Sequence, residues 1–179
     1  LDAESMRDAM LFVSGNLDQS TSGPHPFPDV NTWSYTIHHP FHAIYDSNHR
    51  SIYLMQQRNR RHPYLELFDS ADPNVSIGKR QQTVTPTQAL YLLNSKFVHE
   101  QSHGVAKRIL AGASEQEARI RLAIAMLHGI EPTAEDLDSA RTFMQSYRTA
   151  LAGQSDGELQ AWSASARVLM TSNNFLFVE

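Results

Sequence analysis

Four of the chain's nine histidines crowd into "IHHPFHAIYDSNH", residues 37 to 49, together with Asp46. Imidazoles and carboxylates at helical steps are what a chain needs to offer several ligands to one divalent metal. Pro40 narrows that reading. It disfavours helix at His39 and fits the first helical position, so His38 and His39 fall outside any helix that follows. The coherent set is then His42, Asp46 and His49, with the last two lying four and seven residues beyond His42. The sequence is read as lacking the tighter H-E-x-x-H pattern, in which two ligands flank a general base. Two readings stay open: a His-Asp-His metal site, or a short helix whose histidines are partly exposed or bonded to backbone.

Two further groups have chemistry in their residue types. In "FDSADPNVSIGKR", Asp69, Asp72 and Asn74 are closely spaced oxygen donors, but the register and distal glutamate of a calcium loop are missing. Hydrogen bonding in turns, or pairing with Arg50, Arg58 or Arg80, is the simpler use for these carboxylates. "RNRRH" supplies Arg58, Arg60 and Arg61, with Arg50 just upstream. Guanidinium forks suit carboxylate or sulfate, so an anionic glycan is a sensible partner and a solvated charged face the alternative. No nucleophile elbow, phosphate loop, dinucleotide fingerprint or triad spacing is present.

The elements that must hold these residues are mostly helical. Met6, Ala9, Met10 and Val13 follow the spacing of three and four that predicts an N-terminal helix, within an element assigned to 1–18. Residues 19–84 read as an irregular segment with a short helix and a strand, the strand near 51–57, where Ile52 and Leu54 alternate with other residues. Thr85 and Pro86 form an N-cap and N1 pair that opens one long helix, or two jointed near Asn94-Ser95. Ser114 with Glu117, and Thr133 with Asp136, mark two more helix starts. Leu137, Ala140, Met144, Tyr147 and Leu151 line one helix, and Leu159, Trp162, Ala166 and Leu169 a final one. The expected fold is mainly α. It is a single domain over 1–179 with six or seven helices, an antiparallel helix bundle over 85–179 and a minor β element.

Composition bounds the function. The chain has 179 residues, 41% of them apolar and 19% charged, enough to bury a core. A net charge of -4 and a pI near 6.1 provide no positive field for nucleic acid. No apolar run approaches the roughly 20 residues of a membrane span. The absence of cysteine excludes disulfides, thiolate ligands, a cysteine nucleophile and covalent haem attachment. The start "LDAESMRDAM" has neither initiator methionine nor signal peptide and reads as part of a longer protein.

From Arg50 onward the strings "RSIYL", "LELFDSADPN", "GKRQQTVTPTQALYLLNSKFVHEQ", "LHGIEPTAEDL" and "LMTSNNFLFVE" follow one another. In this order they resemble the C-terminal domain of unknown function of large exported planctomycete proteins, which often also carry a cytochrome-c-like domain. The pattern FD-x-x-DP … R-x-x-T-x-x-P-x-QAL-x-x-LN-x-x-FV, from Phe68 to Val98, carries most of the resemblance. It implies an exported, multidomain setting connected with capture or breakdown of complex polysaccharide, with any haem confined to a separate domain and no cofactor in this chain. It implies no catalytic residues. It does suggest that Arg50, Asp69, Asp72, Arg80, Thr83, Thr85, Gln88 and Asn94 form one buried polar network. The expected role is a helical scaffold or interaction module whose partners are upstream domains of the same polypeptide. The opposing expectation is a composite active site, of a metal-dependent hydrolase or redox-linked polysaccharide-active enzyme, using His42, Asp46, His49 and Arg58.

Overall fold

The computed structural model describes residues 1–24, 29, 31, 44–45, 47–58 and 60–177. Among these the chain is helical and contains no strand. The helices are α1 (Ala3–Ser14), α2 (Pro63–Leu67), α3 (Pro86–Asn94), α4 (Lys96–Gly112), α5 (Gln116–His128), α6 (Ala134–Ala150), α7 (Gly157–Met170) and α8 (Asn173–Leu176). Six are long; α2 and α8, of five and four residues, are the short ones. No helix among the described residues is long and apolar enough to cross a membrane.

The helix ends are written locally. Asp2 accepts a hydrogen bond from Ser5 N at 2.7 Å to start α1. The helix closes where Gly15, at φ 80°, donates to Phe12 O, while Asn16 donates to Leu11 O. This is a Schellman closure, and the left-handed residue favours glycine. Thr85 and Gln88 form a reciprocal capping box on α3: Thr85 N donates to Gln88 Oε1 at 2.9 Å and Gln88 N to Thr85 Oγ1 at 3.3 Å. The run from Pro86 breaks into two helices because Ser95 takes an extended conformation and its Oγ accepts from Val98 N, capping α4. Thr133 and Asp136 build the expected box on α6. On α5 the N-cap is Glu115 rather than Ser114, and it makes no side-chain cap bond.

The β element expected near 51–57 is absent. Ser51–Tyr53 is a single 3-10 turn, closed by Tyr53 N to Arg50 O and Leu54 N to Ser51 O. The buried positions, Ser51 and Leu54, are three apart, and Ile52 is 73% exposed. A spacing of three is that of the 3-10 helix, so the apparent alternation did not report a two-residue period. The extended pairing found nearby is one isolated bridge between Asp18 and His49.

Chain contacts define two compact units: Leu1, Ala9–Asn16 and Leu90–Glu179 in one; Asp2–Asp8 and Leu17–Ala89 in the other. In the first, α4 and α7 form the most extensive helix pair, with α5 and α6 packed beside them. Their buried faces carry Val98, Val105, Ala106 and Ile109 on α4 and Ala161, Trp162, Ala166 and Met170 on α7. Small residues beside Trp162 give this interface both knobs and room for them. A Cβ on Gly104 would fall 2.9 Å from Ser14 O, so glycine permits the close approach of the α1 terminus to α4. Gln101 secures it, its Oε1 accepting from Ser14 Oγ and Asn16 Nδ2, each at 2.8 Å.

In the second unit Tyr64 and Leu65 of α2 are buried, and Tyr64 Oη donates to Ala3 O at 2.9 Å.

A charged clasp spans α5, α6 and α7. Arg148 donates to both carboxylate oxygens of Glu158, at 2.8 and 2.7 Å; Trp162 Nε1 donates to Oε1 at 2.8 Å, and Arg119 lies 3.5 Å away. Arg148 in particular holds the Glu158 carboxyl below the ordinary glutamate range. A depressed folded pKa stabilises the fold above the unfolded value of 4.5, and that stability is lost as pH falls through the folded value. Glu158→Gln therefore lowers the Tm at neutral pH. The difference from the parent chain closes as thermal melts are carried below about pH 4; a constant difference across pH would place the effect elsewhere.

Candidate functional site

Four residues of the Phe68–Val98 string come together, and they do so around backbone. Asp69 closes α2 in the left-handed conformation, φ 58°, while Ser70 N donates to Leu65 O at 2.9 Å. Glycine would adopt that geometry at lower cost. Aspartate brings something glycine lacks: its Oδ2 accepts from Thr83 N and Thr83 Oγ1, both at 2.7 Å. Gln88, buried on the first turn of α3, donates from Nε2 to Leu67 O at 2.9 Å and to Thr83 Oγ1 at 3.3 Å, while its Oε1 serves the Thr85 cap. Asp69, Thr83, Thr85 and Gln88 are thus one hydrogen-bonded cluster that ties the end of α2 to the start of α3. It reaches the surface at Thr83, so it is half buried rather than interior.

The remaining residues expected in that network are elsewhere. Asp72 makes an Asx turn, its Oδ1 accepting from Asn74 N at 2.8 Å, and this bond leads the lowering of its pKa. Arg80 pairs with Glu4 at 2.7 Å and Asp2 at 3.7 Å. Asn94 donates to Leu90 O on its own helix. Arg50, Arg58 and Arg60 are exposed, and no carboxylate pairs with Arg50 or Arg58 among the described residues. Arg61 is drawn inward, donating to Ser70 O at 3.2 Å with Glu66 3.8 Å away.

Of the metal candidates, His42 and Asp46 lie outside the described residues. His49 Nδ1 sits 3.4 Å from Asp18 Oδ2 without hydrogen-bond geometry, and is buried with no hydrogen-bond partner. Among the described residues no three metal-ligating side chains converge.

An H-E-x-x-H string does occur on α4, as His99, Glu100 and His103, legible in the sequence but overshadowed there by the richer run at 37–49. The structure employs it otherwise. His99 Nε2 is 3.2 Å from Leu93 O and so carries the proton, while Nδ1 accepts from Arg167 Nη1 at 2.8 Å. Both nitrogens are engaged, and a guanidinium stands where a cation would bind. Glu100 pairs with Lys96 at 3.4 Å.

Two polar features escaped the sequence analysis. Arg7, only 7% exposed, donates to His49 O at 3.0 Å, Ser51 Oγ at 3.2 Å and Ser47 O. Asp8 Oδ1 accepts from Ser51 N at 2.7 Å and Ser51 Oγ at 2.6 Å. These two residues of α1 strap down the segment around Ser51. Their charged appearance signals a solvated helix face, and only the fold reveals the use. His62 lies close enough to feel Arg7: burial first, then that positive charge, pushes its pKa below 6.5. The second feature is a cavity of about 370 Å³ formed by α5 to α8, with Ile120, Ile124, Phe143 and Leu169 in its walls and His128 and Asp136 among its polar groups.

A family model, PSD1: Protein of unknown function (DUF1553), matches residues 1–144. The chain belongs to this family. No curated protein and no solved structure matches it. The hydrogen-bonded cluster of the Phe68–Val98 string lies inside the segment matched to DUF1553, whereas α7 and α8 lie beyond it.

Gln88→Ala leaves Leu67 O and Thr85 N without their partner at a buried position. It costs about 1–3 kcal/mol in urea denaturation and speeds amide exchange around 83–89. Arg50→Ala, at an exposed guanidinium, stays within about 0.5 kcal/mol of the parent chain. Equal effects would show that the cluster holds nothing.

Proposed function

We propose that this DUF1553 chain is a helical scaffold and interaction module, the C-terminal part of an exported multidomain protein, and that it docks on upstream domains of the same polypeptide. One observation carries the reading. The polar residues of the Phe68–Val98 string that do assemble are consumed by backbone and by one another, as caps and clamps, and not arranged as acid, base or nucleophile. Large apolar side chains left in water agree with a docking role: Leu90 and Leu93 are 58% and 57% exposed. The planctomycete setting, the link to polysaccharide and a haem domain elsewhere in the polypeptide rest on the sequence resemblance. Exposed Arg50, Arg58 and Arg60 supply the guanidinium chemistry that an acidic or sulfated glycan would engage.

The test is calorimetric titration of this chain into the separately expressed upstream part of its polypeptide. Saturable binding that weakens at least about tenfold, roughly 1.4 kcal/mol, in Leu90→Asp/Leu93→Asp supports the reading. Absence of binding with both parts folded overturns it.

One observation favours the rival composite site: the buried Nδ1 of His49 without a hydrogen-bond partner, an arrangement a metal would relieve. If His42, Asp46 and His49 hold a metal beside Arg58, the purified chain carries stoichiometric metal by elemental mass spectrometry and His49→Ala loses it. A metal-free chain after incubation with zinc, manganese or nickel removes that reading.

A further inference from the structure

The cavity formed by α5 to α8 serves no purpose in a pure scaffold, and its walls are chemically biased. At about 370 Å³ it lies at the lower end of the size range of small-molecule sites, about 300–1,000 Å³. Ile120, Ile124, Phe143 and Leu169 make it apolar, and Ile130 and Val168, 48% and 53% exposed, keep apolar surface at its lining in contact with water.

Its charged and aromatic polar groups are Asp136 and His128, beside the hydroxyls of Ser139 and Ser165 and the amide of Asn174, which can donate as well as accept. Asp136 commits Oδ2 to the Thr133 cap, accepting from Thr133 N and Oγ1 at 2.8 and 2.7 Å. Its Oδ1 makes no hydrogen bond among the described residues. Those cap bonds, more than the nearby His128, keep the carboxyl ionised below its usual range. His128 Nε2 lies 3.1 Å from Leu169 O and 2.9 Å from Ser172 Oγ, whose own hydrogen goes to Leu169 O at 2.8 Å. The network therefore assigns the ring proton to Nε2, which leaves Nδ1 as a lone-pair acceptor with no partner among the described residues. Helices α5 and α7 both end here, at His128 and Met170, and helix C-termini carry partial negative charge. The N-terminus of α6 would oppose this, but Glu135 and Asp136 in its first turn answer it.

We propose that this cavity binds a small amphipathic amine, its apolar body among Ile120, Ile124, Phe143 and Leu169 and its ammonium facing Asp136 and His128. The ammonium brings positive charge to the one carboxylate of the lining, Asp136, and three donors to its free oxygen and to the His128 ring. An anionic head of the same size leaves the Asp136 carboxylate facing like charge.

Isothermal titration of the whole chain with three probes of one shape tests this: 4-phenylbutylamine, 4-phenylbutan-1-ol and 4-phenylbutanoate. The amine is expected to bind saturably with one site and at least about tenfold more tightly than the carboxylate, a gap of roughly 1.4 kcal/mol. Ala140→Trp, which fills the cavity, abolishes binding of the amine and the alcohol. Ser139→Lys, at an exposed position of the lining, weakens the amine at least about tenfold while the alcohol changes less than about twofold. Thermal melts confirm that each variant is folded; if Ala140→Trp is not, Ser139→Lys decides. No saturable amine binding, equal affinity for amine and carboxylate, amine binding that survives in folded Ala140→Trp, or indifference to Ser139→Lys each overturns the proposal. None of these outcomes depends on whether the chain docks on upstream domains.

Discussion

Backbone that leaves a helix must find new partners for its N–H and C=O groups, and the organisation of this chain follows from how that requirement is met. In α4 to α7 the helices satisfy it internally, and apolar faces with Trp162 among them supply the packing. Among the described residues between α1 and α3 there is no sheet to pair with, so side chains take over. Arg7 serves the carbonyls of Ser47 and His49, Asp8 serves Ser51 N, Asp69 serves Thr83 N and Gln88 serves Leu67 O. Each is a charged or amide group, and bonds to such groups are worth more than the average neutral pair.

This gives so specific a string of residues in an irregular region a structural use: holding backbone. Asp69 is the plainest case. The left-handed conformation closing α2 calls for glycine, and an aspartate there accepts a conformational cost in return for two short bonds to Thr83. A residue kept against local preference usually marks a function; here the function is to hold a turn against the next helix. The Gln88 capping box works similarly, since one side chain both starts α3 and fixes the end of α2.

The histidines teach the complementary lesson. Ligand spacing on a helix is necessary for a metal and far from sufficient. His99 and His103 have the spacing of a zinc-binding pair, yet Leu93 O and Arg167 use both nitrogens of His99. His62 is different again: burial, and then Arg7, push its pKa down. Among the described histidines, His128 is the one whose ring is anchored through one nitrogen while the other stays an acceptor beside a cavity. Residue type alone distinguishes none of these three environments.

The amino-acid sequence by itself determined the helical class, most helix boundaries and the family. Caps such as Thr133 with Asp136, the Thr85-Pro86 start and the αL glycines act over three or four residues, so their physics is local and legible. It misread the segment near 51–57 as a strand because Ile52 and Leu54, two apart, look like alternation, whereas Ile52 is exposed and the buried positions, Ser51 and Leu54, follow a 3-10 turn. What only the tertiary structure decided were the partners of charged groups: Arg7 with carbonyls some 40 residues away, Arg80 with Glu4, and Glu158 with Arg148 and Arg119. It also decided where four helices leave a cavity unfilled. A charge carries no record in the sequence of which distant group will neutralise it, and a void belongs to no residue, so both exist only once the chain has packed.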